Sequence, residues 1–503
     1  MFLSCYSFLN NTISIALVLV AVFFGYYKWT YFYWEKRKVP YLRPKIPYGN
    51  SVSPFQDEEQ VGFKMKQNYE ELKSRGLKHG GIFIFLQPIH LIVDLDLVRH
   101  VMTTHFNHFS SRGVYYNEEA DPLGANLVAI SGPKWKNLRK KISPSFSPHK
   151  LKTMFSTMLT CEDNLLKNVD SKSGQAVDIR HVAESFTIDV YGSCAFGLDC
   201  DSFKSEDSPF RTFGLRSVLV TRFIQLKTMF AMSFPTLARI LGLKLIAEDI
   251  SKFFSDVVTR VVTFREENNV RRNDLLQFLI DLKYDDPTGD KSLTLEEITA
   301  QCYVFFVAGF DSTASCMTFA LYELSKNPDI QEKLRNEITE VLSKHQNNLT
   351  YDAIQDMEYL DQVVNETLRK YPPAPLTVRE CTKDCNLPDT NFVVEEGTAV
   401  AVPILGIHYD QEYYPNPEEF DPERFNQTNK TLRSRYSFIP FGEGPRYCIG
   451  MSFARMQIKA GLVWLLRNYE FGVSGKTEEP VKIKASSFVL AAKETIWLDV
   501  QKI

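Results

Sequence analysis

No lysine, arginine, aspartate or glutamate occurs in the first 27 residues of this 503-residue chain. No CxxC pair occurs among its nine cysteines, which removes zinc-ribbon and thioredoxin readings. Cys381 and Cys385 are close in sequence, but no second pair or His-x-x-x-His stands nearby to complete a zinc site. An odd, scattered set of thiols fits a reducing compartment, where most act as small buried apolar residues. The chain also lacks net charge. Its 58 basic residues nearly cancel 61 acidic ones, so no global field gathers nucleic acid. Internal repeats and low-complexity tracts are missing, and so is the strand–helix alternation of parallel α/β folds. What remains, 44% apolar and 24% charged, is globular composition, which excludes collagen, coiled-coil rods, disulfide mini-proteins and disordered tails.

The uncharged N-terminus reads as a membrane anchor. Leu9 to Tyr27 is just long enough to cross about 30 Å of hydrocarbon. Lys28 closes the run, and Trp29, Tyr31, Phe32, Tyr33 and Trp34 are expected to form an interfacial aromatic belt. Lys36, Arg37 and Lys38 follow, which by the positive-inside rule puts the bulk of the chain in the cytosol. A cleaved signal peptide would need a basic n-region and a small-residue cleavage site, and neither is present. Pro40, Pro44 and Pro47 then suggest a stiff spacer. The expected organisation is an anchor over 1–34, a proline-rich linker over 35–50 and one body over 51–503.

Helical periodicity dominates that body: Asp57 to Arg75, Pro133 to Ile142, Pro148 to Leu166, Val177 to Gly192, Leu245 to Asn268 and Thr294 to Lys326. Strands are expected at Gly81–Leu86, His90–Asp94 and Thr398–Ile404, giving a mainly α fold with small β-sheets. Thr294 with Glu297 fits a capping box, and Asn327-Pro328 a stop. The resulting helix, about 45 Å long at 1.5 Å per residue, is apolar nearly all round and so buried on every side. Asp311, Ser312 and Thr313 stand at its centre. An acid there would be costly in lipid and needs a functional reason in a core.

Near the C-terminus stands PFGEGPRYCIG, in which Phe441, Gly444, Arg446, Cys448 and Gly450 fill the pattern F-x-x-G-x-R-x-C-x-G. Cys448 precedes a helical run from Ile449 to Leu466, whose dipole favours an ionised sulfur. The loop, in this position, resembles the haem-binding loop of the cytochrome P-450 family, with ETLR (Glu366, Arg369), FDPERF (Arg424), WKNLR (Trp135, Arg139) and AGFDST following the family's order and spacing. The resemblance covers essentially the whole chain after the anchor. It points to the insect microsomal, xenobiotic-metabolising branch, judged from stretches such as ISPSFSPHKLKTMF and AQCYVFFVAGFDST.

That resemblance implies a monooxygenase. Haem b would be ligated by the Cys448 thiolate, with Phe441 beside it in the loop. Trp135, Arg139, Arg379 and Arg446 would meet the propionates, because guanidinium and indole N–H groups only donate. Glu366, Arg369 and Arg424 would form a buried network fixing the loop. Ala308 and Gly309 would leave room for dioxygen, Asp311 would relay protons, and Ser312 or Thr313 would hold the relaying water. The family usually has Thr directly after the acid; here Ser312 fills that position. Pocket walls are expected from Val114–Val128, Phe305, Phe306, Phe310, Leu376–Val378 and Phe488–Leu490. The segment from Phe210 to Phe234 would roof the pocket and touch the membrane. Implied partners are NADPH-cytochrome P-450 reductase, met by exposed members of the basic run Lys134, Lys136, Arg139, Lys140 and Lys141, together with cytochrome b5, lipophilic substrates and the endoplasmic reticulum membrane. Rival readings are a haem-thiolate isomerase or dehydratase and a haem sensor or carrier; neither needs Asp311 with Ser312.

Overall fold

A computed structural model describes residues 14, 17–18, 21–55, 59–205, 207–284, 292–390 and 392–503. The Leu295–Lys326 helix is the axis of the body. Thr294 and Glu297 close the capping box at its start, and Asn327 before Pro328 ends it. It packs against the helices Ile179–Tyr191, Glu358–Lys370 and Met451–Asn468. Among the described residues it alone is long and apolar enough to cross a membrane, but most of its apolar stretch is buried in protein, which makes it a core helix.

A second, smaller core surrounds a four-stranded sheet, ordered His79–Ile84, Gln87–Ile92, Ala399–Val402, Thr377–Glu380. Its outer pairs are antiparallel and its central pair, Ile89 opposite Ala399, is parallel. A three-stranded sheet joins Ala176–Asp178, Trp497–Lys502 and Tyr469–Val473. The strand before Ile179 escapes sequence reading because it has only three residues.

Three expectations change. Pro148–Leu166 is not one helix: it ends at Met158, tightens through a turn at Leu159–Cys161, and resumes as Glu162–Asp170. The Val177 helix begins only at Ile179, because Val177 is in a strand and Asp178 caps the helix by accepting from His181 N. The aromatic belt is divided. Trp29 and Phe32 are exposed, but Trp34 is fully buried, its Nε1 donating to Ile82 O at 3.0 Å, with Gly81 leaving room for its indole. Arg37 pairs with Glu395, and Gly81 N donates to Pro40 O at 2.8 Å. The proline-rich segment therefore runs along the sheet edge. Half of the expected anchor, residues 1–13, 15–16 and 19–20, lies outside the described residues; residues 21–31 are helical, with Val22, Phe23 and Phe24 exposed.

Candidate functional site

Cys448 is held by the chain just before it. Its N–H donates to Phe441 O at 2.8 Å, and Gly442 N donates to Ile439 O at 2.9 Å, folding Phe441 to Cys448 into a tight loop. Gly442 and Gly444 both have φ +70°, a region that disfavours other residues, and a side chain on Gly444 would strike the Met102 carbonyl. Gly450 caps the Met451–Asn468 helix, and a side chain on it would meet nothing within 4 Å. Cys448 lies deep in the protein yet retains accessible surface, so it borders an internal space. Burial pushes its thiol up, while the Gly450 N–H, Arg112 and Arg139 pull towards the thiolate.

Around it the structure gathers arginines from four parts of the chain. Arg446 lies 3.9 Å over the Trp135 ring and donates to Ser110 O, Leu127 O and Ile130 O at 2.9, 3.3 and 2.8 Å. These carbonyls take three of its five N–H groups, so Arg446 clamps the cysteine loop to the 110–130 segment. Arg139 lies 4.8 Å over Tyr447. Arg379, on the Thr377–Glu380 strand, donates Nη1 to Thr377 Oγ1 and Val378 O at 2.9 Å, but its buried Nε has no acceptor. The sequence reading missed Arg112, whose Nη2 donates to Arg446 O at 3.1 Å and whose buried Nε is also without acceptor. Ser-Arg-Gly offers no motif by which to find it. Among the described residues no carboxylate faces this set. Burial, then like charges, pushes Arg379 and Arg446 down to about 9.

The long helix opens one face to the interior. Val304, Phe305, Ala308 and Ser312 keep accessible surface along a stripe with helical spacing, flanked by the half-buried Val307 and Gly309. Val304 also walls a cavity of about 210 Å³ with Val114, Tyr116, Val128 and Leu245. Phe306 and Phe310 are fully buried and pack edge-on or tilted within an aromatic core of Phe196, Phe210 and Phe254. Phe488 is exposed and Leu490 buried. Gly309 does not open space as expected: the Tyr191 phenol fills the position a side chain would take. Ser312 Oγ donates to Ala308 O at 2.7 Å on the open face, whereas Thr313 Oγ1 is buried, without a hydrogen-bond acceptor, facing Tyr191. Asp311 is buried and paired with Arg180.

Beneath the loop, Glu366 accepts from Arg369 Nε and Nη2 at 2.7 and 2.8 Å and from Asp421 N at 3.0 Å, with Arg424 at 3.4 Å. His408, not foreseen from sequence, donates Nδ1–H to Arg369 O and accepts from Ile439 N, both at 3.1 Å. It ties this network to the start of the cysteine loop.

The cytochrome P-450 family profile matches residues 55–498. The chain belongs to the cytochrome P-450 monooxygenase family. It is 39% identical over 477 residues to the probable cytochrome P-450 6a23 of Drosophila melanogaster, covering 94% of this chain and 95% of that one. It is 39% identical over 494 residues to cytochrome P-450 6A1 of Musca domestica, covering 97% of each, and 38% identical over 500 residues to cytochrome P-450 6a8 of Drosophila melanogaster, covering 98% of each. Members of this family are haem-thiolate proteins, and the residues fit such a group: buried guanidinium N–H groups without acceptors, four cations without an acid, and a thiol bordering an internal space.

Proposed function

We propose that this P-450 inserts one oxygen atom of dioxygen into lipophilic substrates, xenobiotics or endogenous lipophiles, with haem b held by the Cys448 thiolate. The observation that carries the reading is the acid-free arginine set around Cys448, which calls for a ligand with carboxylates. Arg112, Arg379 and Arg139 would hold the propionates beside Trp135, while Arg446 and Phe441 shape the loop. The haem, when bound, supplies the oxidising power, and the thiolate favours O–O cleavage. The protein's part is to orient, dry and protonate. Val114, Val128 and Val304 present an apolar wall to the substrate. Asp311 holds the proton at its carboxyl, and Ser312 Oγ, on the open face, passes it through water. Thr313, facing Tyr191, takes no part.

NADPH electrons would arrive through the membrane-bound reductase, with cytochrome b5 as a second donor. Lys134 is engaged by Glu118 and Glu297, which leaves the exposed Lys136 and Lys140 to meet an acidic partner. Residues 1–34 would anchor the protein in the endoplasmic reticulum membrane, 35–50 link it, and 51–503 form the cytosolic haem body. Exposed Phe223, Leu226, Ile240 and Leu241 support a second membrane contact, beside the Tyr26–Phe234 ring stack.

The reduced, carbon monoxide-treated protein should show the thiolate difference spectrum, and Cys448→Ala should lose it together with NADPH-dependent substrate loss. An imidazole-type spectrum would remove the reading. Ser312→Ala should divert reducing equivalents to peroxide, measured against NADPH consumed, and Thr313→Ala should do so far less.

A further inference from the structure

A run of alternating charge crosses three helices and ends at Asp311. Arg180, in the first turn of the Ile179–Tyr191 helix, binds Asp311 through Nη2 and Glu184 Oε1 through Nε, the latter at 2.6 Å. Glu184 Oε2 accepts from Arg211 Nη2 at 3.4 Å, and Arg211 Nη1 reaches Ser185 Oγ at 3.2 Å. Arg211 belongs to the Pro209–Val218 helix, whose Phe213 stacks on Phe253 and whose Phe210 meets the same ring edge-on. Gly214 of that helix lies against Phe306 of the long helix. Lys484, from the C-terminal loop, also faces Asp311. Two guanidiniums and two carboxylates make the buried run neutral, so no member can change partner without altering the charge felt by the others.

We propose that Arg180, Glu184 and Arg211 are positioning residues that set the proton affinity of Asp311 from the roof helix. Any shift of the Pro209–Val218 helix when substrate enters alters the hold of Arg211 on Glu184. Glu184 then draws Arg180 away from Asp311 or releases it, and the acid gains or loses its proton. Burial raises the proton affinity of Asp311 above that of a free carboxyl, and Arg180 opposes it. The inference rests on reading Asp311 as the proton-relaying acid.

The sign of two substitutions separates this role from a packing role. Arg211→Gln leaves two carboxylates sharing Arg180, so Asp311 should bind its proton more tightly and its titration should move up by about one pH unit. Glu184→Gln gives Arg180 wholly to Asp311, and the titration should move down by a similar amount. Two readouts follow it in the holoprotein: the carboxylic-acid C=O band of Asp311 in infrared difference spectra, assigned by its loss in Asp311→Asn, and the pH dependence of peroxide formed per NADPH. Arg211→Lys keeps the charge and should move less than Arg211→Gln, which also covers the case in which Arg211→Gln fails to fold. Shifts of the same sign in both Gln variants, or no shift in either, would overturn the proposal. If Asp311→Asn leaves the peroxide profile as in the wild type, the acid assignment itself falls, whatever the other variants do.

Discussion

Two groups of buried arginines lie close to the cysteine loop, and they differ in what balances them. Arg369 and Arg424 share the Glu366 carboxylate, and carbonyls of His408, Glu419 and Asn416 accept further N–H groups, although Arg424 Nε has no hydrogen-bond acceptor. Arg112, Arg139, Arg379 and Arg446 have no acid among the described residues, and two of their N–H groups point at nothing. Desolvating a guanidinium is costly unless it is paired. A group with its own counter-charge is scaffolding, complete when the chain folds. An unbalanced one is a receptor, strained until an anion arrives.

The largest effect should come from the balanced group. Glu366→Gln leaves Arg369 buried without its counter-charge and should cost about 3–5 kcal/mol, read from urea unfolding. A smaller loss would mean that the carbonyls suffice. Arg379→Gln should act in the opposite sense on the stripped protein, leaving its urea midpoint unchanged or higher because a like charge is gone. Haem transfer to a scavenging apoglobin should meanwhile quicken about tenfold. A stripped protein weakened as much as by Glu366→Gln would erase the distinction between the groups. The smallest effect concerns His408. Burial, then Arg369, lowers its ring to about 3, below the free value of 6.5. Its contribution is complete above pH 6.5 and is lost as pH falls towards 3, because the unfolded chain binds a proton that the folded ring refuses. Between pH 7 and 5 the wild type should lose stability more steeply than His408→Asn, by at most about 1.4 kcal/mol per pH unit. Parallel slopes would release His408 from this role.

The long helix and the cysteine loop were legible because their signals are local: a capping box, an apolar periphery interrupted by an acid, and glycines at fixed offsets in a ten-residue motif. Arg112 and His408 were not legible. Each acts through partners more than 30 positions away, Arg446 and Ile439, and neither sits in a pattern that marks it. Gly309 was misread for a related reason. Its missing side chain looked like room for a ligand, but only the packed structure shows the ring of Tyr191 already there. Local signals in a sequence report what turns and caps require; they are silent about which distant side chain fills a gap.

The indole of Trp34 has a consequence for handling this molecule. Wedged beside Gly81 and Phe83, it makes the N-terminal stalk a bracket bolted to the sheet instead of a slack tether. The tilt of the body on its support is then inherited from folding. A shortened version begun after Val39 would strip a wall from the small sheet, exchanging solubility for a sticky, exposed socket.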